Sequence, residues 1–340
     1  MSFGSDNQAP AHPAALAALV AANDGRTASY GADPWTARAV AALRETFEKP
    51  DLEVAFVAGG QAANGLALSL LAPGWAAVVA HAHAHILEDE GTGPEFFTGG
   101  ARLIGLDGAH GKLTPDAVRA AAARYPKDFV HGVQPRCLSL TNATECGTVY
   151  GPDEIAALSA TARVHGWGVH MDGARFANAV AGSGASPADL SWRSGVDILS
   201  LGLTKTGGLI CEMVVVFDPA RLGPLPYLQK RAGQLVSKQR FLAAPTAAML
   251  EGGLWLDLAG LANGVARALE AVLAAAGCAV LHPVEANEVF ARVSTEQADA
   301  LRAGGVTFYD WPQDGPGAVR FVASWASTDA DVEAVRLALG

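Results

Sequence analysis

Short apolar runs alternate with amphipathic stretches along the first two thirds of the chain. Val54–Ala58, Ala76–Ala80, Ala101–Leu106, Cys137–Asn142, Trp167–Met171, Val196–Leu201 and Met213–Phe217 are short and almost uniformly apolar. That texture predicts strands buried on both faces rather than strands with one wet side. Helical stretches separate several of them. Asp33-Pro34 reads as an N-cap with proline in the first helical position, opening a helix that ends near Lys49-Pro50. Gly59-Gly60-Gln61 leads into a helix through Leu71, Thr114-Pro115 caps another, and one more starts near Pro152-Asp153. The alternation predicts an α/β fold, a mostly parallel sheet between helices.

Beyond Phe217 the texture changes. Two helical segments, Pro226–Phe241 and Pro245–Ala276, lead into short strands at Glu288–Val293, Val306–Tyr309 and Ala318–Ala323, and a capped helix runs from Thr328. This predicts a smaller α+β carboxyl-terminal domain. The expected division is a large domain over residues 1–245 and a small one over 246–340, with the first twenty or so residues contributing to the small one. No internal repeat or low-complexity linker interrupts the pattern.

Composition narrows the class. The chain has 340 residues, half of them apolar, which is ample for a large core. Its 34 acidic and 24 basic residues leave a net charge of −10 with no Lys/Arg run, so nucleic acid and anionic membrane are not expected partners. The amino terminus lacks the basic and apolar regions of a signal peptide, and Ala271–Leu281 is too short to span a bilayer. Four scattered cysteines match neither a disulfide framework nor a zinc motif. A soluble, cytoplasmic protein is expected.

Candidate chemistry centres on Lys205, in the glycine-flanked turn Gly202-Leu203-Thr204-Lys205-Thr206-Gly207-Gly208 between two apolar runs. A lysine on a turn is ordinarily solvated, and an aspartate after a strand is often a helix cap. Lys205 and Asp172, each at the end of an apolar run, change that balance together. A lysine for a Schiff base and an acid for the pyridinium nitrogen are what a pyridoxal phosphate (PLP) enzyme needs. Arg175, one turn after Asp172, would reach the cofactor phenolate oxygen or a substrate carboxylate. Gly59-Gly60 before a helix suits a phosphate, since open N–H groups and the helix dipole favour an anion. Taken alone that signal is weak, because glycine turns between strand and helix are common.

Three histidines, His81, His83 and His85, alternate, so on a strand all three would share one face. With Glu88, Asp89 and Glu90 behind them, they could build a metal site for a hydrolase, stack one imidazole on a cofactor ring, or simply form a strand end. His131 is equally open between a structural and a catalytic role. Arg320, in Val319-Arg320-Phe321-Val322, either points inward to take a carboxylate or outward from an edge strand.

Read together, several phrases resemble the low-specificity L-threonine aldolase family, PLP enzymes of the aspartate-aminotransferase fold type I. The matching pieces are Phe3-Gly4-Ser5-Asp6-Asn7, Tyr30-Gly31-Ala32-Asp33-Pro34-Trp35-Thr36-Ala37-Arg38, and Ala84-His85-Ile86-Leu87-Glu88-Asp89-Glu90. Further along come Pro94-Glu95-Phe96-Phe97, Ser139-Leu140-Thr141-Asn142-Ala143-Thr144-Glu145, Met171-Asp172-Gly173-Ala174-Arg175 and the Lys205 turn. The resemblance covers essentially the whole chain. It implies Lys205 as the Schiff-base lysine, Asp172 as the pyridinium partner and His85 as the ring-stacking histidine. Gly60 and Gln61 would bind phosphate through backbone amides, although Gln61 stands where the family usually has a small hydroxyl residue. Ser5, Arg175 and Arg320 would hold the substrate carboxylate, and His131 would sit near the β-hydroxyl. The implied reaction is retro-aldol cleavage of β-hydroxy-α-amino acids to glycine and an aldehyde by a homotetramer. The base is left open among His85, His131 and a water between them. β-Elimination, racemisation and phenylserine-type cleavage are alternative outcomes on the same scaffold.

Overall fold

The computed structural model describes residues 1–221 and 223–340. Seven strands build the large sheet: β1 (Glu53–Val57), β2 (Ala76–His81), β3 (Arg102–Leu106), β4 (Gln134–Thr141), β5 (Gly168–Gly173), β6 (Ile198–Gly202) and β7 (Glu212–Val216). Their spatial order is β1-β7-β6-β5-β4-β2-β3. From β3 to β6 the neighbours are parallel, whereas β7 runs antiparallel to both β6 and β1. The link from Gly202 to Glu212 is too short for the crossover of about a dozen residues that a parallel return requires.

Alternate residues of these strands enter two different cores, which explains their unbroken apolar texture. Val79, Leu138, Met171, Met213 and Val215 face one layer, while Val78, Cys137, Ile198, Val214 and Val216 face the other. The helices before the carboxyl-terminal part are α1 (Pro13–Ala21), α2 (Pro34–Thr46), α3 (Gly60–Leu71), α4 (His85–Glu88), α5 (Gly93–Thr98), α6 (Pro115–Arg124), α7 (Pro152–Val164) and α8 (Phe176–Ser183). The predicted caps form as hydrogen bonds: Asp33 accepts from the Thr36 N–H at 2.8 Å and Thr114 from the Ala117 N–H at 3.2 Å. Residues of α3 fill one layer, and residues of α2, α7 and α8 fill the other.

The helical reading after Phe217 needs correction. The structure has α9 (Leu225–Arg231), α10 (Arg240–Leu250) and α11 (Leu254–Ala275) in place of two long segments. Pro245 lies inside α10 and does not open a helix. The break falls instead at Gly252 and Gly253, with φ of 67° and 76°, a conformation that costs other residues energy. By length and composition the stretch Arg240–Ala275 could cross a bilayer. Here it is interrupted by that break, and Trp255, Leu258, Ala259, Leu269 and Leu273 are packed into the cores.

The small sheet contains β8 (Ala279–Val280), β9 (Glu288–Arg292), β10 (Tyr309–Asp310) and β11 (Ala318–Val322), in the order β10-β11-β9-β8. Its core also takes residues of α11, α12 (Thr295–Ala303) and α13 (Asp329–Leu339). The amino terminus is woven into it: the Phe3 N–H donates to the Thr307 carbonyl and the Val322 N–H to the Phe3 carbonyl, both at 2.8 Å. Phe3 is fully buried there, whereas Ala15 of α1 belongs to the large core.

Candidate active site

The carboxyl-terminal ends of the parallel strands open on one cavity of about 310 Å³, where ligands of such sheets commonly bind. Five strand ends deliver a side chain or turn to it: Gly59-Gly60 after β1, His85 after β2, Thr141 at the end of β4 with Glu145 after it, Asp172 and Arg175 at β5, Lys205 after β6. Because β7 runs the other way, its first residue, Glu212, reaches the same edge.

Lys205 sits in a single 3₁₀ turn, Thr204–Thr206, closed by Gly207 at φ 96°. A Cβ at Gly207 would also lie 3.1 Å from Leu258 and Trp325 side-chain atoms, so the turn favours glycine twice over. The Arg175 charge and burial lower the Lys205 pKa, against the opposing pull of Asp6, Asp172 and Glu288. A larger fraction of neutral amine at a given pH is the direction a nucleophilic lysine needs.

Asp172, 5 % exposed, is held at both oxygens. Oδ1 accepts from the Ala174 N–H at 3.0 Å and Oδ2 from Asn64 Nδ2 at 2.8 Å. Asn64 Nδ2 also donates to Glu90 Oε1 at 2.8 Å, and that oxygen meets His85 Nδ1 at 2.9 Å. A chain of three hydrogen bonds therefore joins His85 to Asp172. The Glu90 contact raises the His85 pKa, while burial raises that of Glu90 itself. Two residues before Asp172, His170 bridges Ser139 and Ser200 at 2.9 Å each and is kept neutral by burial.

Gly59 caps α3 without any side-chain hydrogen bond, and nothing lies within 4 Å of where its Cβ would stand. The first N–H groups of α3 thus open on the cavity. Gln61 lines the cavity with its side-chain Nε2 committed to the Glu90 carbonyl at 2.6 Å. Glu212 Oε2 is 3.6 Å from the position of a Gly60 Cβ. Burial pushes its carboxyl up to about 7, so a neutral, donating form is accessible beside the glycine turn.

A second cavity of about 250 Å³ continues outward, sharing Asn7, His85, Glu145, Arg175 and Lys205 with the first. Ser5 lines it, its Oγ accepting from the Asn7 N–H at 3.2 Å. Arg320 points inward from β11, an interior strand of the small sheet, which removes the edge-strand alternative. Its guanidinium carbon lies 4.5 Å from the Trp311 ring centre and 5.5 Å from that of Tyr309, and its buried Nε has no partner. Arg175 is more constrained than its sequence suggests. Nε and Nη2 donate to the two Asp6 oxygens at 2.7 and 3.1 Å, and Nη1 lies 3.5 Å from Glu288 Oε1. Burial alone would raise the Asp6 carboxyl, but Arg175, Lys205 and a hydrogen bond from Asn287 outweigh it and leave the pKa lowered.

The three alternating histidines do not share a strand face. β2 ends at His81, whose Nδ1 accepts the His83 N–H at 3.2 Å and whose Nε2 meets the Gly108 carbonyl at 3.0 Å. That turn sends His83 outward to Glu88 at 3.0 Å and lets His85 open α4. Among the described residues no group of three His, Cys, Asp or Glu could hold a metal ion. His131 is exposed in the segment before β4, edge-on to Phe129 at 5.3 Å, and lines neither cavity of this chain.

Asn64, Glu212 and Glu288 line the site without a role read from the sequence, whereas Glu90 is read there only as part of a possible metal cluster, and Asp6 and Glu145 only within matching phrases. Asn64 carried a readable signal, a polar residue among Ala62, Ala63, Gly65 and Leu66 one turn into a helix. Glu145 and Glu212 carried none, since a turn and a strand start ordinarily hold acids in solvent.

Comparison with known proteins agrees with this layout. The family model described as Beta-eliminating lyase matches residues 2–296. The chain is 45 % identical over 335 residues to the low specificity L-threonine aldolase of Pseudomonas aeruginosa, covering 98 % of this chain and 94 % of that protein. A second low specificity L-threonine aldolase, from a Pseudomonas species, is 43 % identical over 331 residues, covering 97 % and 94 %. The solved structure of Leishmania major threonine aldolase superposes with a TM-score of 0.92 at 28 % identity, covering 100 % of this chain and 99 % of that one.

Proposed function

The chain belongs to the beta-eliminating lyase family, in its low-specificity L-threonine aldolase branch, and from that membership we propose that it cleaves β-hydroxy-α-amino acids such as threonine to glycine and an aldehyde with PLP as cofactor. The observation that carries this reading is the convergence of Lys205, Asp172 and the open amino terminus of α3 on one cavity. The residues fit the cofactor: an amine of lowered pKa, a carboxylate held at both oxygens by N–H donors, and bare glycines where a phosphate needs backbone. PLP bound there supplies a conjugated ring that accepts the electron pair left at Cα when a bond to it breaks.

The protein's part is to hold and orient. Lys205 Nζ, an amine of lowered pKa lining the inner cavity, would be the residue that holds PLP covalently. Asp172 would hold a proton at the ring nitrogen, and the Asn64–Glu90–His85 chain keeps Asp172 and the His85 ring in fixed register. The N–H groups of Gly60 and Gln61 hold the phosphate. Arg320, inward and with a free Nε, would take the substrate carboxylate together with Ser5 and Arg175, which line the same cavity. Fixing that carboxylate would restrict the orientation of the substrate about Cα, and so would favour breaking one of its bonds over the others.

Substituting Lys205 tests the reading. Lys205→Ala is expected to lose the visible absorbance band of the PLP-loaded protein and at least about three orders of magnitude in threonine turnover. Retained band and retained glycine release would refute it.

We place the protein in the cytoplasm, consistent with four cysteines outside any disulfide, and read its working form as a homotetramer. Sedimentation checks the assembly: a species larger than the 34.9 kDa chain is expected, and a monomer at micromolar concentration would contradict it.

A further inference from the structure

Glu145 stands where the two cavities meet and lines both. One carboxylate oxygen is fixed from two sides: Oε1 accepts the His85 N–H at 3.0 Å and the Thr141 hydroxyl at 2.8 Å. The other, Oε2, is buried and has no hydrogen-bond partner in the protein. A buried polar oxygen without a partner costs free energy unless something else meets it. Here the inner cavity holds the groups assigned to the cofactor and the outer one holds Arg320 and Ser5. A substrate spanning them carries its β-hydroxyl between the two, and the histidine alternatives are less suited to meet it. His131 lines neither cavity, and His85 Nδ1 is engaged by Glu90.

We propose that Glu145 is the catalytic base that takes the proton of the substrate β-hydroxyl. The proposal rests on the aldolase reading above and supplies the residue that reading leaves open. The hydroxyl proton passes to Glu145 Oε2 as the O–H pair becomes the second bond of the aldehyde carbonyl. The Cα–Cβ bond breaks with its pair retained on the Cα side. Cα then takes a proton and becomes glycine, so no oxidant or reductant is required. A base must also be matched in strength to its task. Burial pushes the Glu145 carboxyl up to about 7, against the hydrogen bonds from His85 and Thr141. The titratable groups sharing the two cavities with Glu145 are Glu90, Asp172, Arg175, Lys205 and Glu212 on the inner side, and His83, His85, Glu88, Asp89, Cys146, Glu288, Asp314 and Arg320 on the outer side.

The test compares two reactions on the PLP-loaded protein. Threonine cleavage needs the β-hydroxyl proton removed, whereas exchange of the glycine α-proton into D₂O, followed by proton NMR, does not. Glu145→Gln is expected to lower threonine kcat by about 100-fold or more, the usual contribution of a positioned base, with glycine exchange and the visible absorbance band little changed. Wild-type kcat/KM should fall as pH drops below about 7, where the carboxyl is protonated, and the residual activity of Glu145→Gln should be flat there. Glu145→Asp, which keeps a carboxylate, should recover part of the loss. Wild-type cleavage by Glu145→Gln would overturn the proposal. So would a parallel loss of cleavage, exchange and absorbance, which would mark a structural or cofactor-tuning role. A wild-type protein that shows no visible band with PLP would overturn the aldolase reading and the proposal with it.

Discussion

At Arg175 three parts of the chain are tied by one side chain. The residue follows β5, while its partners Asp6 and Glu288 come from the amino-terminal segment and from β9. Both carboxylates are 1 % exposed, so each depends on the guanidinium for a counter-charge. Removing one member of such a group strands the others, at a typical cost of about 3–5 kcal/mol. Arg175→Met is therefore expected to lower the urea unfolding free energy by about that amount at pH 7. The pH dependence has a definite sign. The folded-state pKa of Asp6 is lowered, so its pairing stabilises the protein above the ordinary carboxylate range and that contribution is lost as pH falls through the folded value. The gap between wild type and variant should be full at neutral pH and narrow in acid. An equal stability at pH 7 would show that Asp6 and Glu288 do not need this arginine.

Among the elements, legibility followed burial and local chemistry. The inner strands of the large sheet are readable because they are buried on two faces, the edge strand β3 being only partly covered, and Asp33, Thr114 and Thr328 announce their helices through capping side chains. The helices after Phe217 differ from the expectation because alanine-rich sequence carries little period, and because Pro245 sits inside a helix while Gly252-Gly253 makes the actual break. The antiparallel sense of β7 had no signal in its own residues; the short link before it decides the direction. The site divided along the same line. Lys205, Asp172 and the Gly59-Gly60 turn lie at strand ends and could be found locally. Asp6, Glu145, Glu212 and Glu288 acquire their meaning from neighbours distant in sequence. The pairing of Arg175 with Asp6 spans almost half the chain, beyond the reach of any motif.

Across the whole molecule, the large sheet gathers groups from the ends of β1, β2, β4, β5 and β6 and from the start of β7, and the small sheet closes the cavity from outside with Arg320 and Glu288. The amino terminus belongs to both parts: Phe3 fills the small core and Asp6 reaches the site. This architecture separates two tasks. On the proposed reading the inner cavity would hold the cofactor, and the outer one, with Arg320 and Ser5, would orient the substrate. The account therefore stands on the identity of the products. The most direct measurement incubates the PLP-loaded protein with L-threonine and quantifies glycine, acetaldehyde, ammonia and 2-oxobutyrate in one reaction. Equimolar glycine and acetaldehyde, absent with Lys205→Ala, is the predicted result; ammonia with 2-oxobutyrate in their place would contradict it.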